Sequence, residues 1–268
     1  AAIWSSPMDD MADFPAATFI QFCLNHGLLQ ISDRPQWKSI RGGSREYVRK
    51  LCAAIGDVRL DTPVHAVRRT SQGVQVSSAA GSEYFDRVIL ATHSDQALAL
   101  LQDALPAERE VLAAIRYQPN VAYLHTDTDL MPAHPAAWSA WNYYAGSEQD
   151  GRFPVAVSYW LNRLQPLPFT TPVMVTLNPP QPPRPQHTLR VINYAHPLLD
   201  GKAYRAQQAL AGIQNLDRVS FCGAWAGYGF HEDGLKAGMA VARLFGIEAP
   251  WLSTDGVAVA AAAEEAAA

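Results

Sequence analysis

Hydrophobic residues recur at helical spacing in five separate stretches of the chain. In the second stretch Tyr47, Val48 and Leu51 share one face, and Ser44 stands just before it as the predicted N-cap. Gly27 follows the first stretch, where a residue without a side chain favours the end of a helix. These patterns predict helices over residues 14–28, 45–55, 94–101, 202–214 and 235–245.

A β-strand pattern follows the second predicted helix. Val64 and Ala66 share one face of a first strand, and a turn at residues 71–73 precedes renewed alternation from Val74, which predicts a hairpin. The stretch at residues 84–91 then becomes almost continuously apolar. Such a run is typical of a strand that is buried on both faces of a sheet.

A second group of strands is predicted within residues 119–195, where proline-rich links separate the apolar segments. Their regular spacing favours a mixed or antiparallel sheet. A short strand at residues 218–223 then returns to the first sheet, so the second group is an insertion. The inserted strands are predicted at residues 121–125, 138–143, 155–160, 173–177 and 189–194.

Composition narrows the class of protein. The 268 residues are 49% hydrophobic and 17% charged, which suits one large folded domain or two small ones. The net charge of −4 argues against nucleic acid as a partner. We expect no membrane-spanning helix and no signal peptide, because neither apolar pattern is present. Three widely spaced cysteines indicate reduced thiols in a cytoplasm, and no metal-ligand spacing is found, so no metal is predicted.

Residues 219–241 carry the strongest signal for a binding site. A short apolar strand ends at Gly223, further glycines follow, and a helix begins near Asp233. This order directs backbone N–H groups and the positive end of a helix dipole towards one place, which suits a phosphate or another electron-rich group. An ordinary strand–loop–helix connection with glycines at its turns explains the same residues, and both interpretations stay open on the residues alone.

Residues 221–238, FCGAWAGYGFHEDGLKAG, resemble the carboxy-terminal FAD motif of the flavin-containing amine oxidase and phytoene desaturase superfamily. They are most similar to a branch of bacterial NAD/FAD-binding proteins associated with cyclopropane-fatty-acid synthase. Three upstream segments resemble the same branch in the same order. They are residues 34–48, RPQWKSIRGGSREYV, residues 62–67, TPVHAV, and residues 85–98, FDRVILATHSDQAL.

The resemblance implies an α/β fold of the FAD/NAD(P)-binding, two-domain flavin oxidase type. Its substrate-domain sheet would be inserted and mixed or antiparallel, and the fold would be truncated at the amino terminus. The implied segments are a helical part of the substrate domain at 1–36, part of the FAD-binding domain at 37–100, substrate-domain strands and helices at 101–215, the carboxy-terminal strand, loop and helix of the FAD-binding domain at 216–250, and a low-complexity tail at 251–268.

The resemblance also assigns cofactor contacts. The Val64 backbone would meet the adenine, the glycine pair before the second helix would pass close to FAD, and Gly223 and Ala224 would approach the pyrophosphate or ribityl chain. The acidic start of the last helix would lie near the pyrimidine edge of the flavin. The implied cofactor residues are Gly42, Gly43, Val64, Gly223, Ala224, Gly229, Phe230, His231, Glu232 and Asp233.

Two departures from the superfamily pattern change what we expect. Trp225 stands where many amine oxidases have a glutamate, which weakens amine oxidation as the reaction. The Gly-x-Gly-x-x-Gly turn and the acidic residue that binds the ribose are not found in the chain. We therefore expect a fragment whose missing partner is the amino-terminal FAD-binding half, and which does not retain FAD alone.

The catalytic residue stays unknown. His231 and Glu232 are weak candidates for an acid or base, although a histidine is commonly a hydrogen-bonding residue and a helix start attracts carboxylates for stability alone. Trp141, Tyr159 and Trp160 are candidates for an apolar substrate pocket, or else for an aromatic core.

The resulting hypothesis is a cytoplasmic FAD-dependent oxidoreductase that removes a hydride from an apolar substrate, such as a lipid acyl chain. Its partners would be a small-molecule or lipid substrate and, as an open option, a membrane surface contacted peripherally. An amine oxidase is the alternative within enzymes. A non-catalytic remnant of the flavin fold that serves as a binding module is the alternative from another class.

Overall fold

A computed structural model describes Trp4 and residues 13–33, 35–36, 38–145, 155–249 and 251. The chain divides into two compact units, Ala1–Asp61 with Arg116–Gly201 and Thr62–Ile115 with Lys202–Ala268. The strands are β1 (Val64–Thr70), β2 (Gly73–Ser78), β3 (Gly81–Phe85), β4 (Val88–Leu90), β5 (Tyr117–His125), β6 (Trp141–Ala145), β7 (Val155–Trp160), β8 (Met174–Leu177), β9 (Thr188–Pro197) and β10 (Val219–Phe221). The helices are α1 (Ala16–Asn25), α2 (Arg45–Ile55), α3 (Ser94–Leu100), α4 (Pro106–Ala113), α5 (Leu161–Leu164), α6 (Gly201–Ala209) and α7 (His231–Leu244).

The first unit is built on a five-stranded sheet in the order β6-β7-β8-β5-β9, with every neighbouring pair antiparallel. The predicted insertion of strands is therefore confirmed, and the antiparallel alternative holds. Alternation of side chains places Val157 and Leu177 on one face, with Ala156 and Met174 on the other. All four are buried, so the centre of this sheet is covered on both sides.

The two helices before this sheet differ in what they bury. Helix α1 buries Phe22 and Cys23, and the Phe22 ring lies 5.0 Å from that of Trp4. Helix α2 is present as predicted but buries no residue, and Leu51 is 57% exposed on its apolar face. Ser44 occupies the N-cap position without a side-chain hydrogen bond, because its backbone is already helical and does not turn the hydroxyl back.

The second unit contains a three-stranded antiparallel meander, β1-β2-β3, and a parallel pair, β10-β4. The predicted hairpin around residues 71–73 is confirmed. The prediction that the strand near residue 90 is buried on both faces is wrong. Leu90 is 6% exposed, whereas Ile89 is 47% exposed, because no described residue covers its face of the pair.

Helix α4 was not predicted, and a buried ion pair holds it. The Glu108 carboxylate forms a salt bridge with the guanidinium of Arg69 on β1 and accepts the backbone N–H of Leu105 at 2.8 Å. The Arg69 guanidinium also pairs with Asp103 at 3.2 Å. A proline at the first helical position and a glutamate two residues later were the available signals, because both favour a helix start.

The compact units change at residues 61/62, 115/116 and 201/202. The functional segments expected from the sequence end at residues 36, 100, 215 and 250. One cause of the difference is the pairing of α4 with β1. Another is Gln207 of α6, whose side-chain amide donates to the carbonyls of Trp225 and Gly227 at 2.9 and 2.7 Å. The functional assignment of the segments stays a prediction.

Replacing Glu108 with alanine is expected to lower the free energy of unfolding by about 3 kcal/mol, because it leaves the Arg69 guanidinium buried without its main partner. The matched control is Glu110→Ala on the same helix, where the side chain is exposed and the loss should stay within about 0.5 kcal/mol. Urea unfolding measures both. Equal losses in the two variants would show that the ion pair does not hold α4.

Asp127 in the first unit predicts an acid-dependent stability. Hydrogen bonds from the Arg184 guanidinium hold the pKa of the Asp127 carboxyl well below its usual range. This contribution is complete above the unfolded-state pKa of about 4 and is lost as the pH falls towards the folded-state pKa.

Asp127→Asn is therefore expected to flatten the decline in the free energy of unfolding between about pH 5 and pH 2. The control is Asp129→Asn, whose carboxylate is 71% exposed. That variant should keep the decline of the unmodified protein. Urea titrations at several pH values provide the comparison. An unchanged slope in Asp127→Asn would contradict the assignment.

Candidate functional site

The glycine-rich loop follows the carboxyl end of the parallel pair. Strands β4 and β10 run in the same direction, and the Cys222 N–H extends their pairing to the Leu90 carbonyl at 3.1 Å. The chain then turns at Gly223 into a single 3-10 turn, Ala224–Ala226, before helix α7. Ligands of open α/β sheets bind at this edge, so the loop occupies the position expected of a binding site.

Trp225 determines how closely the loop packs. Its indole is 2% exposed and donates a hydrogen bond of 2.9 Å to the Thr92 carbonyl. A Cβ atom at Gly223 would lie 2.6 Å from the indole Nε1, so this position accepts only glycine without a shift. The glycine is thus required by a neighbouring side chain, and its contact with a cofactor stays a prediction.

Asp233 shapes the start of helix α7. Its carboxylate accepts the Phe230 N–H at 3.0 Å and fills the space beside Gly227. Gly229 has a φ of +90°, in the left-handed region that favours glycine, and this lets the chain reverse before the helix. Asp233 therefore stabilises the start of the helix, which is the structural role that the sequence left open beside a cofactor contact.

Glu232 and His231, the weak catalytic candidates, lie on the exposed side of the helix start. The Glu232 carboxylate is 64% exposed and stands 3.4 Å from the Lys236 ammonium, one helical turn away. His231 is also exposed. His93 occupies the N-cap position of α3, with its Nδ1 4.0 Å from the Asp95 carboxylate. None of these side chains is held in a buried, activated position.

Two backbone donors at the loop fit the phosphates of FAD. Among the described residues, no acceptor is found for the N–H groups of Gly223 and Ala224. Successive backbone N–H groups at the edge of a parallel pair are a common anion site. The start of α7 adds a positive dipole end to the same loop. The residues present therefore fit a pyrophosphate.

The other predicted cofactor residues lie apart in the chain. Val64 opens strand β1 in the unit that contains the glycine loop, and it is 37% exposed. Gly42 and Gly43 belong to the other unit, with φ angles of +85° and +84°. A Cβ atom at Gly43 would meet nothing within 4 Å, so this side of the chain is open for a close approach.

The aromatic pocket candidates fall on two faces of the five-stranded sheet. Trp141 and Tyr159 pair across β6 and β7, with ring centroids 5.2 Å apart. Trp160 follows on the opposite face and packs edge-on against Trp138 at 5.3 Å. Burial raises the pKa of the Tyr159 hydroxyl. The three side chains do not share one surface, and a role in a substrate pocket stays a prediction.

A cleft that the sequence reasoning missed opens on one face of the same sheet. It has a volume of about 710 Å³, and Asn142, Ser158 and Thr176 line it. On the same face, the Thr176 hydroxyl is hydrogen-bonded to His125, which is fully buried. Polar residues at buried positions of neighbouring strands were the available signal, because such groups need hydrogen-bond partners.

Within the described residues, no group of three potential metal ligands is found, and no helix is long and apolar enough to cross a membrane. The described cysteines Cys23, Cys52 and Cys222 are free thiols. Burial raises the pKa of the Cys222 thiol, so this cysteine is held in its unreactive form.

A family model described as flavin-containing amine oxidoreductase matches residues 13–176, more than half of the chain. The chain belongs to this family. Its members are FAD-dependent oxidoreductases, so the predicted superfamily, fold class and cofactor are confirmed. The association with cyclopropane-fatty-acid synthase stays a prediction. No curated protein sequence matches the chain.

Solved structures share the fold at low sequence identity. A CLA-producing fatty acid isomerase from P. acnes is 13% identical, with a TM-score of 0.54 over 76% of this chain and 52% of that chain. Putrescine oxidase bound to putrescine is 14% identical, with a TM-score of 0.52 over 77% of this chain and 54% of that chain. The chain thus spans about half the length of these structures.

Gly223→Ala is expected to lower the free energy of unfolding by about 1–3 kcal/mol, because the added Cβ displaces the Trp225 indole. Gly238→Ala is the matched control, since a Cβ atom there meets nothing within 4 Å and alanine favours the helix by about 0.5–1 kcal/mol. Urea unfolding and near-ultraviolet circular dichroism report both changes. A gain of stability in Gly223→Ala would refute the packing described for Trp225.

Proposed function

We propose that the protein containing this chain uses FAD to remove a hydride from an apolar substrate, such as a lipid acyl chain. The observation that carries the proposal is the glycine loop at the carboxyl end of the β4–β10 pair. There the N–H groups of Gly223 and Ala224 and the start of α7 come together in a chain of the flavin-containing amine oxidoreductase family. When bound, FAD supplies the hydride acceptor.

The residues of this chain would bind and orient the cofactor. Gly223 and Ala224 would donate their N–H groups to phosphate oxygens, and the dipole of α7 would favour negative charge beside the loop. Trp225, buried against Thr92, would keep the donors in place and exclude water from that side.

The polar side chains of the loop favour a reaction that needs little acid or base from the protein. Asp233 is used to hold the helix start, and Glu232 is exposed and paired with Lys236. With neither carboxylate positioned as a base, a substrate C–H bond that is already prepared to release a hydride fits better than one that needs a strong base.

Support for a lipid substrate over an amine is chemical. Trp225 stands where many amine oxidases have a glutamate, which weakens amine oxidation, and a structure with the same fold is named a fatty acid isomerase. The amine alternative is supported by the family's own description and by the fold shared with putrescine oxidase. A cytoplasmic location and peripheral contact with a membrane belong to the same proposal.

The alternative of a non-catalytic binding module rests on a different observation. The Gly-x-Gly-x-x-Gly turn is not found in the sequence of the chain, and the glycine loop packs against its own Trp225.

We propose that a segment carrying such a turn completes the FAD site, and that this chain alone does not retain FAD.

The test is flavin retention and bleaching. The purified chain should show no flavin absorbance, whereas the chain joined to a segment with the dinucleotide-binding turn should retain FAD. Without oxygen, an unsaturated fatty acid should then bleach the bound flavin and putrescine should not. Bleaching by putrescine alone would favour the amine alternative. Retention without bleaching by any substrate would favour the binding module, and stoichiometric FAD on the chain alone would overturn the fragment hypothesis.

Ala224→Pro tests the role of the loop directly, because it removes one N–H donor at the first position of a 3-10 turn, where proline is tolerated. The dissociation constant for FAD in the joined protein should rise about tenfold. Gly238→Ala, on the helix beyond the loop, should leave it unchanged. Fluorescence quenching of FAD on binding gives both constants. An unchanged dissociation constant in Ala224→Pro would show that the Ala224 N–H does not donate to FAD.

A further inference from the structure

The cleft of about 710 Å³ in the first unit has a polar floor and apolar walls. The floor forms because β6, β7 and β8 place Asn142, Ser158 and Thr176 opposite one another. Ser158 and Thr176 are 4% and 2% exposed. The apolar walls consist of Leu130, Met131, Pro132, Tyr144, Pro179 and Pro180.

A hydrogen-bonded chain that includes the two hydroxyls of the floor has a defined direction. The Asp127 backbone N–H donates to His125 Nδ1 at 3.1 Å, so this nitrogen carries no proton. Burial lowers the pKa of the His125 imidazole and keeps it neutral. Its single ring proton is therefore on Nε2, which donates to Thr176 Oγ1 at 2.7 Å.

This hydrogen-bonded chain contains one more donor hydrogen than it has acceptors within itself. The Ser158 and Thr176 hydroxyls lie 2.7 Å apart and share one hydrogen bond, so the imidazole and two hydroxyls offer three hydrogens for two bonds. Among the described residues, no acceptor is found for the third hydrogen. The Asn142 amide does not supply one, since its nitrogen is a donor and its oxygen, which accepts the Ser139 N–H at 2.9 Å, is bonded to neither hydroxyl.

Because a hydroxyl that accepts a hydrogen bond becomes a better donor, Thr176, which accepts from His125, donates to Ser158. The left-over hydrogen therefore lies on the Ser158 hydroxyl, the more exposed of the two. A ligand that covers this hydroxyl without offering an acceptor leaves a buried donor unsatisfied, at a cost of about 1–3 kcal/mol, whereas a ligand that brings an acceptor oxygen avoids this cost. The site therefore favours ligands that present a hydrogen-bond acceptor to the floor.

The charged groups around the cleft limit which kind of acceptor group can bind. Asp129 is the one charged side chain among its described lining residues, and its counter-ion Arg184 is shared with Asp127. A carboxylate ligand would find no cation there, and its charge would be poorly compensated. A protonated amine would place its own donors against the donor on the floor.

We propose that this cleft binds the carbonyl group of a neutral acyl compound, an ester or amide with an aliphatic chain. The hydroxyl hydrogen left over from Ser158 and Thr176 donates to the carbonyl oxygen, and the aliphatic chain lies along Met131 and the proline walls. No flavin takes part in this binding. Its failure would therefore leave the redox proposal untouched.

The test uses this chain and four probes that share an eight-carbon chain: methyl octanoate, methyl octyl thioether, octanoate and octylamine. Binding is followed by the ¹H–¹³C signals of the Met131 and Thr176 methyl groups. Methyl octanoate should shift both signals saturably and bind about tenfold more tightly than the thioether, which has a similar shape but only a weakly accepting sulfur. Equal affinities, tighter binding of octanoate or octylamine, or no saturable shift, which would mean a cleft that holds water only, would each overturn the proposal.

Ser158→Ala supplies an independent measurement. The left-over hydrogen then lies on Thr176, whose oxygen is 2.7 Å from that of Ser158 and which is 2% exposed, so the ester should bind about tenfold more weakly while the thioether is unaffected. Ser139→Ala, an exposed serine outside the cleft, should change neither affinity. An ester affinity that is unaltered in Ser158→Ala also overturns the proposal, and the comparison of probes on the unmodified chain stands even where a variant fails to fold.

Discussion

The parallel pairing of β4 with β10 is the constraint on which the glycine loop depends. It joins two segments that are far apart in the sequence, and the bond from the Trp225 indole to the Thr92 carbonyl spans 133 positions. Because both strands end at the same edge, the loop after β10 opens beside the turn after β4. Without this pairing the glycines would be an ordinary flexible connection.

Buried polar groups with assigned partners organise both compact units. In one, Glu108 and Arg69 tie α4 to β1, and in the other, Asp127 and Arg184 tie neighbouring loops together. Each pair contains a carboxylate that is almost fully buried. Such groups are costly unless they are paired, so they favour a single arrangement of the segments that carry them. The His125–Thr176–Ser158 chain differs, because one of its hydrogens is left over, and this is why it points to a ligand.

Local pattern was sufficient to predict most elements. Apolar segments separated by proline-rich links predicted the strands of the inserted sheet, and the short apolar segment before the glycines predicted the parallel return strand. Prediction from local pattern failed where the structure depends on residues that are far away in the sequence. Helix α4 is short, and its stability comes from Arg69, which lies 39 positions from Glu108. The sequence predicts that Ile89 is buried, but its exposure depends on which residues cover that face of the β4–β10 pair.

The position of the glycine loop was predicted from the sequence, but its packing was not. Spacing and resemblance identified the loop at Gly223, whereas the occupation of its open side by Trp225 and the role of Asp233 at the helix start depend on side-chain packing. The cleft above Ser158 and Thr176 was missed, because it depends on the register of three strands that a single sequence does not reveal.

The most direct measurement of the central claim is the amide ¹H–¹⁵N spectrum of the glycine loop in the FAD-retaining protein, with and without the cofactor. The account predicts large downfield proton shifts for the Gly223 and Ala224 amides when FAD binds, because both begin to donate to phosphate oxygens, and little change at Gly238. FAD that binds while the Gly223 and Ala224 signals stay in place would contradict it.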